Sequence, residues 1–341
     1  MKLQISTGDP LLYDFDLPLC VNFYFLGFPI QITTNSPEVL AAAQESWGMF
    51  DHTRPEPPLK IQIGVLPDSS TERPNAPVVR GRGHQLTQIA DSENFMVLDS
   101  REGFAFGWLT RGAVQDRAYL RYHFLEGTVW ILLETLYLTS VHGACVELNG
   151  HGVLLCGDSG AGKTSLAYAC AHNGWKFLSD DSTCLIRNRP GRIVTGNSRQ
   201  MRFRESAVQL FPELIHQRVS ARPTGEMSIE VPTAETPEIN FISEASVDYI
   251  VFLNRFESLP DGIVRFSKRR ALQWFHQIVC YGEANVREAH YATLQNLLSA
   301  EIFEMRYTRI ESALDMLKKL VYKGAGAIAN NVAVTEERQN A

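Results

Sequence analysis

Hydrophobic and polar positions follow different patterns in the two parts of the chain. In the first part, period-two alternation at residues 60–65 (Lys-Ile-Gln-Ile-Gly-Val) predicts a half-buried strand. Ser36 begins a helix-compatible stretch that reaches about Phe50, and short apolar runs with strand character lie on either side of it. These patterns predict a small α+β domain over residues 1–120.

Longer apolar segments follow, and helix patterns alternate with strand patterns. Residues 122–137 have the length and the broad apolar face of a helix, whereas residues 152–156 form a short apolar run typical of a buried central strand. Further predicted elements are strands at 246–253 and 301–305 and helices at 269–279 and 310–321. We therefore predict an α/β domain over residues 121–323 and a disordered tail over residues 324–341.

Composition excludes several classes of protein. The chain has 341 residues, of which 45% are hydrophobic and 21% charged, with a net charge of −6. Disorder therefore does not describe most of it, and no basic excess indicates nucleic-acid binding. The six cysteines are scattered, the N-terminus lacks a signal-peptide pattern, and no apolar run is long enough for a bilayer span. We expect a cytoplasmic protein with no nucleic-acid or membrane partner.

A phosphate-loop motif follows the predicted strand at 152–156. Residues 157–164 read Gly-Asp-Ser-Gly-Ala-Gly-Lys-Thr and satisfy G-x-x-x-x-G-K-[ST]. In such a loop Lys163 bridges the β- and γ-phosphates and Thr164 offers its hydroxyl to Mg²⁺. The alternative is a glycine-rich turn without a ligand. The predicted nucleotide-binding residues are Gly157, Asp158, Ser159, Gly160, Ala161, Gly162, Lys163, Thr164 and Ser165.

Two adjacent carboxylates follow the next predicted strand, residues 175–179. Asp180 and Asp181 stand at its C-terminal end, which in an open parallel sheet is the edge where ligands bind. They could supply a Mg²⁺ contact and a base for a substrate hydroxyl. The alternative is that the pair merely begins a polar loop.

Residues 141–187 resemble the catalytic domain of bacterial HPr kinase/phosphorylase. That family has a His-Gly dipeptide on a strand, a GDSG-x-GK-[ST] loop and an Asp-Asp pair. Here the offset from His142 to Gly157 is 15 (157 − 142), and from Gly157 to Asp180 it is 23 (180 − 157). The resemblance extends to the phosphoenolpyruvate carboxykinases, which share the kinase core. It implies an α/β P-loop kinase core preceded by a smaller α+β N-terminal domain.

The resemblance also implies roles for individual residues. Asp180 is expected to be the base that takes the proton from the accepting hydroxyl, and Asp181 to support metal or substrate. Thr164 and Asp181 are the expected Mg²⁺ ligands, and Lys163 the phosphate-binding lysine. His142 is expected beside the phosphates, with a structural histidine on a core strand as the alternative. ATP and Mg²⁺ are the implied cofactors, and a homo-oligomer is expected.

The chain also departs from the family pattern. It lacks the L-E-[IV]-R-G-x-G segment that contributes an acidic metal ligand, and residues 196–205 stand in its place. Residues 1–120 match no motif of the family's usual N-terminal domain. The further predicted phosphate, substrate or metal contacts, each with a solvated surface position as the alternative, are Arg202, Arg204, Glu205, Arg222 and Glu226.

These features predict an ATP- and Mg²⁺-dependent kinase that phosphorylates a hydroxyl, a serine of a protein acceptor. One alternative is a kinase for a small metabolite, such as free serine or a biosynthetic intermediate. The other is a non-catalytic regulator that senses nucleotide. Asp180 and His142 argue against the regulator, because a pure sensor needs neither of them.

Overall fold

A computed structural model describes residues 16–187, 189–217, 219–221, 226–255, 260–277 and 282–324. The chain divides into two units, Met1–Leu136 and Tyr137–Ala341. Apart from Gly324, the tail that the sequence predicts to be disordered lies outside the described residues. Among the helices described, none combines the length and the apolar character that a bilayer span needs.

Within the part of the first unit that the structure describes, the strands form a seven-stranded sheet. Its strands are β1 (Leu19–Phe25), β2 (Phe28–Thr34), β3 (Leu59–Val65), β4 (Val78–Arg82), β5 (Gln85–Ile89), β6 (Phe95–Asp99) and β7 (Phe104–Leu109). Their order is β1-β2-β3-β7-β6-β5-β4, in which β3 is parallel to both of its neighbours. The helices are α1 (Pro37–Trp47), α2 (Arg111–Gln115), α3 (Arg117–Tyr119) and α4 (Gly127–Leu136), and a π-helical segment, Leu120–Glu126, precedes α4.

The boundary between the units lies after Leu136, later than the 120/121 boundary that the sequence predicts. Hydrogen bonds tie the intervening helical residues to the first unit. Ser46 of α1 donates to Glu126 over 2.7 Å, and Thr128 of α4 donates to Gln88 of β5 over 2.9 Å. Residues 122–136 of the apolar helix pattern therefore belong to the first unit.

The described residues of the second unit form a main sheet of nine strands and a small sheet of three. The main sheet has β8 (Leu138–Leu148), β9 (His151–Cys156), β10 (Lys176–Ser179), β11 (Ser182–Ile186), β12 (Ile193–Gly196), β16 (Asn240–Phe241), β17 (Ala245–Asn254), β18 (Gly262–Arg265) and β19 (Glu301–Arg306). The small sheet has β13 (Gln200–Phe203), β14 (Val219–Ala221) and β15 (Met227–Pro232). The helices are α5 (Lys163–His172), α6 (Lys268–Phe275), α7 (Ala284–Leu297) and α8 (Ile310–Lys323), with short 3₁₀ turns at Glu205–Gln209, Pro212–His216 and Thr233–Glu235.

The main sheet has a hydrophobic core on each face. Side chains of α5 and α8 pack in one core, and those of α6 and α7 in the other. Strand β9 alternates between them, with Val153 and Leu155 in the first core and Leu154 and Cys156 in the second. This double burial explains why β9 is apolar at successive positions. Strand β17 runs parallel to both β9 and β19, so the loop after β9 emerges at the C-terminal edge of three parallel strands.

Candidate functional site

The loop of residues 157–162 joins β9 to α5 in a conformation that requires glycine. Gly157, Gly160 and Gly162 have φ angles of 148°, 89° and 97°. At Gly162, a Cβ atom would lie only 2.6 Å from the Tyr307 hydroxyl oxygen. The glycines therefore allow both a left-handed backbone and a close approach of neighbouring groups. Helix α5 begins directly at Lys163, so its positive dipole end is next to the loop.

Lys163 is buried and held within the loop. Its ammonium group donates to the carbonyl oxygens of Gly157 over 2.8 Å and Asp158 over 3.3 Å. It also lies 3.0 Å from His142 Nε2 and 4.0 Å from Asp181 Oδ1. Burial lowers the pKa of Lys163, and the Asp181 carboxylate opposes that shift. The loop thus fixes one positive charge at a defined point.

His142 and Asp181 meet beside this ammonium group because β8 pairs with β11, which begins directly after Asp181. Ser182 lies opposite His142 in that ladder, and the Gly143 N–H donates to the Asp181 carbonyl over 2.8 Å. His142 Nδ1 is 3.2 Å from Asp181 Oδ1. The imidazole of His142 therefore lies between the Lys163 ammonium group, which is near Nε2, and the Asp181 carboxylate, which is near Nδ1. The pairing of β8 with β11 therefore brings together His142, Asp181 and Lys163, which the sequence predicts as separate site residues.

Asp180 is buried next to this group. Its Oδ2 accepts the backbone N–H of Arg202 over 2.7 Å, and its carbonyl oxygen accepts the Thr164 hydroxyl over 3.4 Å. Burial raises the pKa of Asp180 to about 6, and the Arg202 N–H offsets part of that effect. A carboxylate with this pKa is ionised at neutral pH, yet it is a stronger base than an ordinary aspartate.

The other predicted contacts are placed differently. Arg204 donates to the Ser159 hydroxyl over 2.7 Å and so lies at the loop. The Arg202 side chain is instead 3.5 Å from Glu230, and only its backbone N–H reaches Asp180. Glu205 and Glu226 are exposed, Glu205 at the start of a 3₁₀ turn and Glu226 just before β15, while Arg222 lies outside the described residues.

Two residues that belong to none of the sequence motifs also lie at the loop. The Tyr307 hydroxyl, just after β19, donates to the Ala161 carbonyl over 3.1 Å. Burial raises the pKa of Tyr307 to about 12, so it stays a donor at neutral pH. The Arg255 guanidinium, just after β17, lies 5.8 Å from the centre of the Tyr307 ring. Arg255 and Tyr307 each follow shortly after a predicted strand, 246–253 and 301–305 respectively. Ligands bind at the C-terminal ends of such strands, so this position in the sequence could have identified both residues.

The oxygen atoms at this site suit Mg²⁺. This ion binds through one or two carboxylates together with substrate phosphates, and it keeps several waters. Asp181 offers a half-exposed carboxylate and Thr164 a hydroxyl. Within the described part of the chain, no group of three or more His, Cys, Asp or Glu side chains forms a metal site by itself.

Comparison with known proteins gives a family match around the loop. Residues 135–205 match the model of the HPr Serine kinase C-terminal domain. This segment, which covers about a fifth of the chain, includes His142, the loop and the Asp180–Asp181 pair. The resemblance recognised at residues 141–187 is thereby confirmed, and this part of the chain is HPr kinase-like.

Curated relatives match over short regions. HPr kinase/phosphorylase of Bordetella pertussis is 31% identical over 98 residues, which cover 29% of this chain and 27% of that protein. The Lactobacillus delbrueckii enzyme of the same name is 41% identical over 54 residues, covering 16% and 17%. The chain thus spans 27% and 17% of the length of these two relatives. Among solved structures, the Hpr(Ser) kinase/phosphatase of Coxiella burnetii aligns over 56% of this chain and 96% of its own, with a TM-score of 0.30 and 10% identity.

Proposed function

We propose that this chain, HPr kinase-like over residues 135–205, is an ATP- and Mg²⁺-dependent kinase that phosphorylates a hydroxyl group, a serine of a protein acceptor. One observation carries the proposal. The loop lysine, Lys163, lies 3.0 Å from His142 and 4.0 Å from Asp181. The buried Asp180 precedes Asp181 in the chain, and its backbone carbonyl accepts the hydroxyl of Thr164, the residue after Lys163.

The loop residues support the binding of nucleotide phosphates. A phosphate loop cradles anionic oxygens with backbone N–H groups and a lysine, at the positive end of a helix dipole. Here Lys163 begins α5, and Arg204 is fixed to the loop through Ser159. The loop carbonyls that hold Lys163 now are partners that it can exchange for phosphate oxygens.

Asp180 is proposed as the base for the transfer. It takes the proton from the acceptor hydroxyl, whose oxygen forms a bond to the γ-phosphorus as the bond to the bridging oxygen breaks and ADP leaves. The raised pKa of Asp180 favours this proton transfer, because a base works best when its pKa approaches the operating pH. His142 keeps Asp181 and Lys163 in place.

Thr164 and Asp181 are the proposed protein ligands of Mg²⁺. The ion, when bound, neutralises charge on the phosphate oxygens. Because Asp181 also contacts His142 over 3.2 Å, its carboxylate is oriented before any metal arrives. In the 196–205 segment, which stands in place of the missing family motif, Glu205 is exposed at the start of a 3₁₀ turn.

The protein acceptor comes from the names of the relatives, in which the kinase acts on HPr. A cytoplasmic location, a homo-oligomeric state and the absence of a nucleic-acid partner stay predictions. A metabolite kinase and a nucleotide-sensing regulator share the same loop, so the destination of the phosphoryl group separates the three.

The test follows the label from γ-³²P-ATP in a soluble extract of the source organism, with Mg²⁺ and purified protein. Lys163→Ala and Asp180→Asn are the variants, and Arg287→Ala on α7 is the matched surface control. We expect label in a discrete protein band, lost in both site variants and retained in the control.

Label in the low-mass fraction instead would make the chain a metabolite kinase. Tight nucleotide binding without transfer to any acceptor would favour the regulator. A wild-type protein that binds no nucleotide would contradict all three functions.

A further inference from the structure

Arg255 stands at the end of β17, beside the phosphate loop. The ladder between β9 and β17 places Phe252 opposite Cys156, and the ladder between β17 and β19 places Asn254 opposite Arg306. Because these strands are parallel, the residues that follow them meet at one edge of the sheet. Arg255 and Tyr307 therefore lie next to the loop that follows Cys156.

The distance from Arg255 to the loop is short. A Cβ atom at Gly162 would lie 3.5 Å from Arg255 Cδ and 3.8 Å from its Nη1. Gly162 directly precedes Lys163, the residue that begins α5. The Arg255 guanidinium thus lies at the C-terminal end of the loop. Lys163 and the positive end of the α5 dipole are at the same end.

Tyr307 holds this arginine in place. Its ring lies 5.8 Å from the guanidinium carbon, within the range of a cation–π contact. Its hydroxyl donates to the Ala161 carbonyl, so the ring is fixed to the loop itself. Tyr307 therefore contacts both the exposed arginine and the loop backbone.

No carboxylate of the described residues pairs with Arg255. Glu304, on the neighbouring strand, is engaged by Arg306 over 2.7 Å and by Asn254 over 3.3 Å. On the other side of the loop, Arg204 Nη1 lies 3.7 Å from the Cβ position of Gly160. Arg204 and Arg255 thus both lie beside the loop. Two guanidinium groups at this position favour a ligand with several negative charges.

We propose that Arg255 binds the polyphosphate of the nucleotide, with Tyr307 as its positioning residue. This inference rests on the proposed function, in which the loop binds ATP. Arginine suits the role because its planar fork donates two hydrogen bonds to one phosphate. The site is thereby assembled from three strand ends, and not from the loop and the Asp pair alone.

The test measures binding of ATP, ADP and adenosine by isothermal titration calorimetry. The variants are Arg255→Ala and Arg255→Lys. Arg287→Ala is the control, because Arg287 is exposed on α7 and its side chain donates to the Gly282 carbonyl. Hydrogen bonds to charged groups contribute about 1.5–3 kcal/mol, so we expect Arg255→Ala to weaken ATP binding by roughly 10- to 100-fold. Lysine should recover part of this affinity, and binding of adenosine should not change.

The outcomes separate the two proposals. If wild-type protein binds ATP and Arg255→Ala binds it equally well, the inference is overturned and the kinase proposal stands. An equal loss of affinity for adenosine also overturns it, because the arginine would then not act through the phosphates. If wild-type protein binds no ATP, the proposed function itself fails and the inference falls with it.

Discussion

Replacing Asp180 with asparagine is expected to stabilise the folded protein at neutral pH. Burial of the charged carboxylate is unfavourable, which is why the pKa of Asp180 rises from 3.8 to about 6. Between these two pH values the folded state binds more protons than the unfolded state, so wild-type stability falls as the pH rises through this window. Asparagine carries no charge and keeps an oxygen that can accept the Arg202 N–H.

The size of the effect follows from the two pKa values. Each pKa unit corresponds to about 1.4 kcal/mol, so a change from 3.8 to about 6 costs the wild-type protein about 3 kcal/mol above pH 7. At pH 4 most of this cost is absent, because Asp180 is protonated in the folded state. The advantage of Asp180→Asn should therefore be about 2 kcal/mol larger at pH 7.5 than at pH 4.

Urea unfolding followed by circular dichroism at both pH values measures this difference. Asp315→Asn is the matched control, because Asp315 is exposed on α8 and keeps its hydration in the folded state. Its effect should be nearly equal at the two pH values. A gain for Asp180→Asn that is the same at pH 4 and pH 7.5, or a loss at pH 7.5, would refute the reasoning.

Two further predictions concern the pH profile and the loop. Asp180 must be ionised to act as the base, and burial raises its pKa to about 6. We therefore expect kcat/KM to fall below pH 6 with a slope that approaches tenfold per pH unit. A kcat/KM profile that is flat from pH 5 to 8 would contradict this. Gly162→Ala should cost roughly 1–3 kcal/mol of stability and weaken ATP binding, because φ is 97° and the Cβ would approach Tyr307. Thermal unfolding checks this, and Tyr307→Phe in the same background should recover part of the loss; an unchanged Tm for Gly162→Ala would count against the strain.

Local sequence predicts the central part of the site well. The apolar run at 152–156 is β9 (His151–Cys156), and the motif that follows it leads into α5 (Lys163–His172). These elements are encoded by contiguous residues, since a buried strand, a glycine loop and a helix start each have a local pattern. The strand predicted at 175–179 is likewise found as β10 (Lys176–Ser179).

Features that depend on long-range pairing were not predictable in this way. The approach of Arg255 and Tyr307 to the loop depends on the register of β17 and β19, which neither strand encodes alone. The helical residues before Leu136 have an apolar face that fits either unit, and only packing assigns them to the first. For Arg202, the sequence indicates a cationic side chain, whereas the atom at Asp180 is a backbone N–H.

The most direct test of the kinase proposal is to measure ATP affinity and phosphoryl transfer side by side in Asp180→Asn. General-base catalysis contributes roughly 10²- to 10⁴-fold to the rate. If Asp180 is the base, transfer falls by at least 10²-fold in this variant. ATP affinity stays within about threefold of wild type, because Lys163 and the loop are intact. Transfer at the wild-type rate would contradict the role of Asp180 and with it the proposed mechanism.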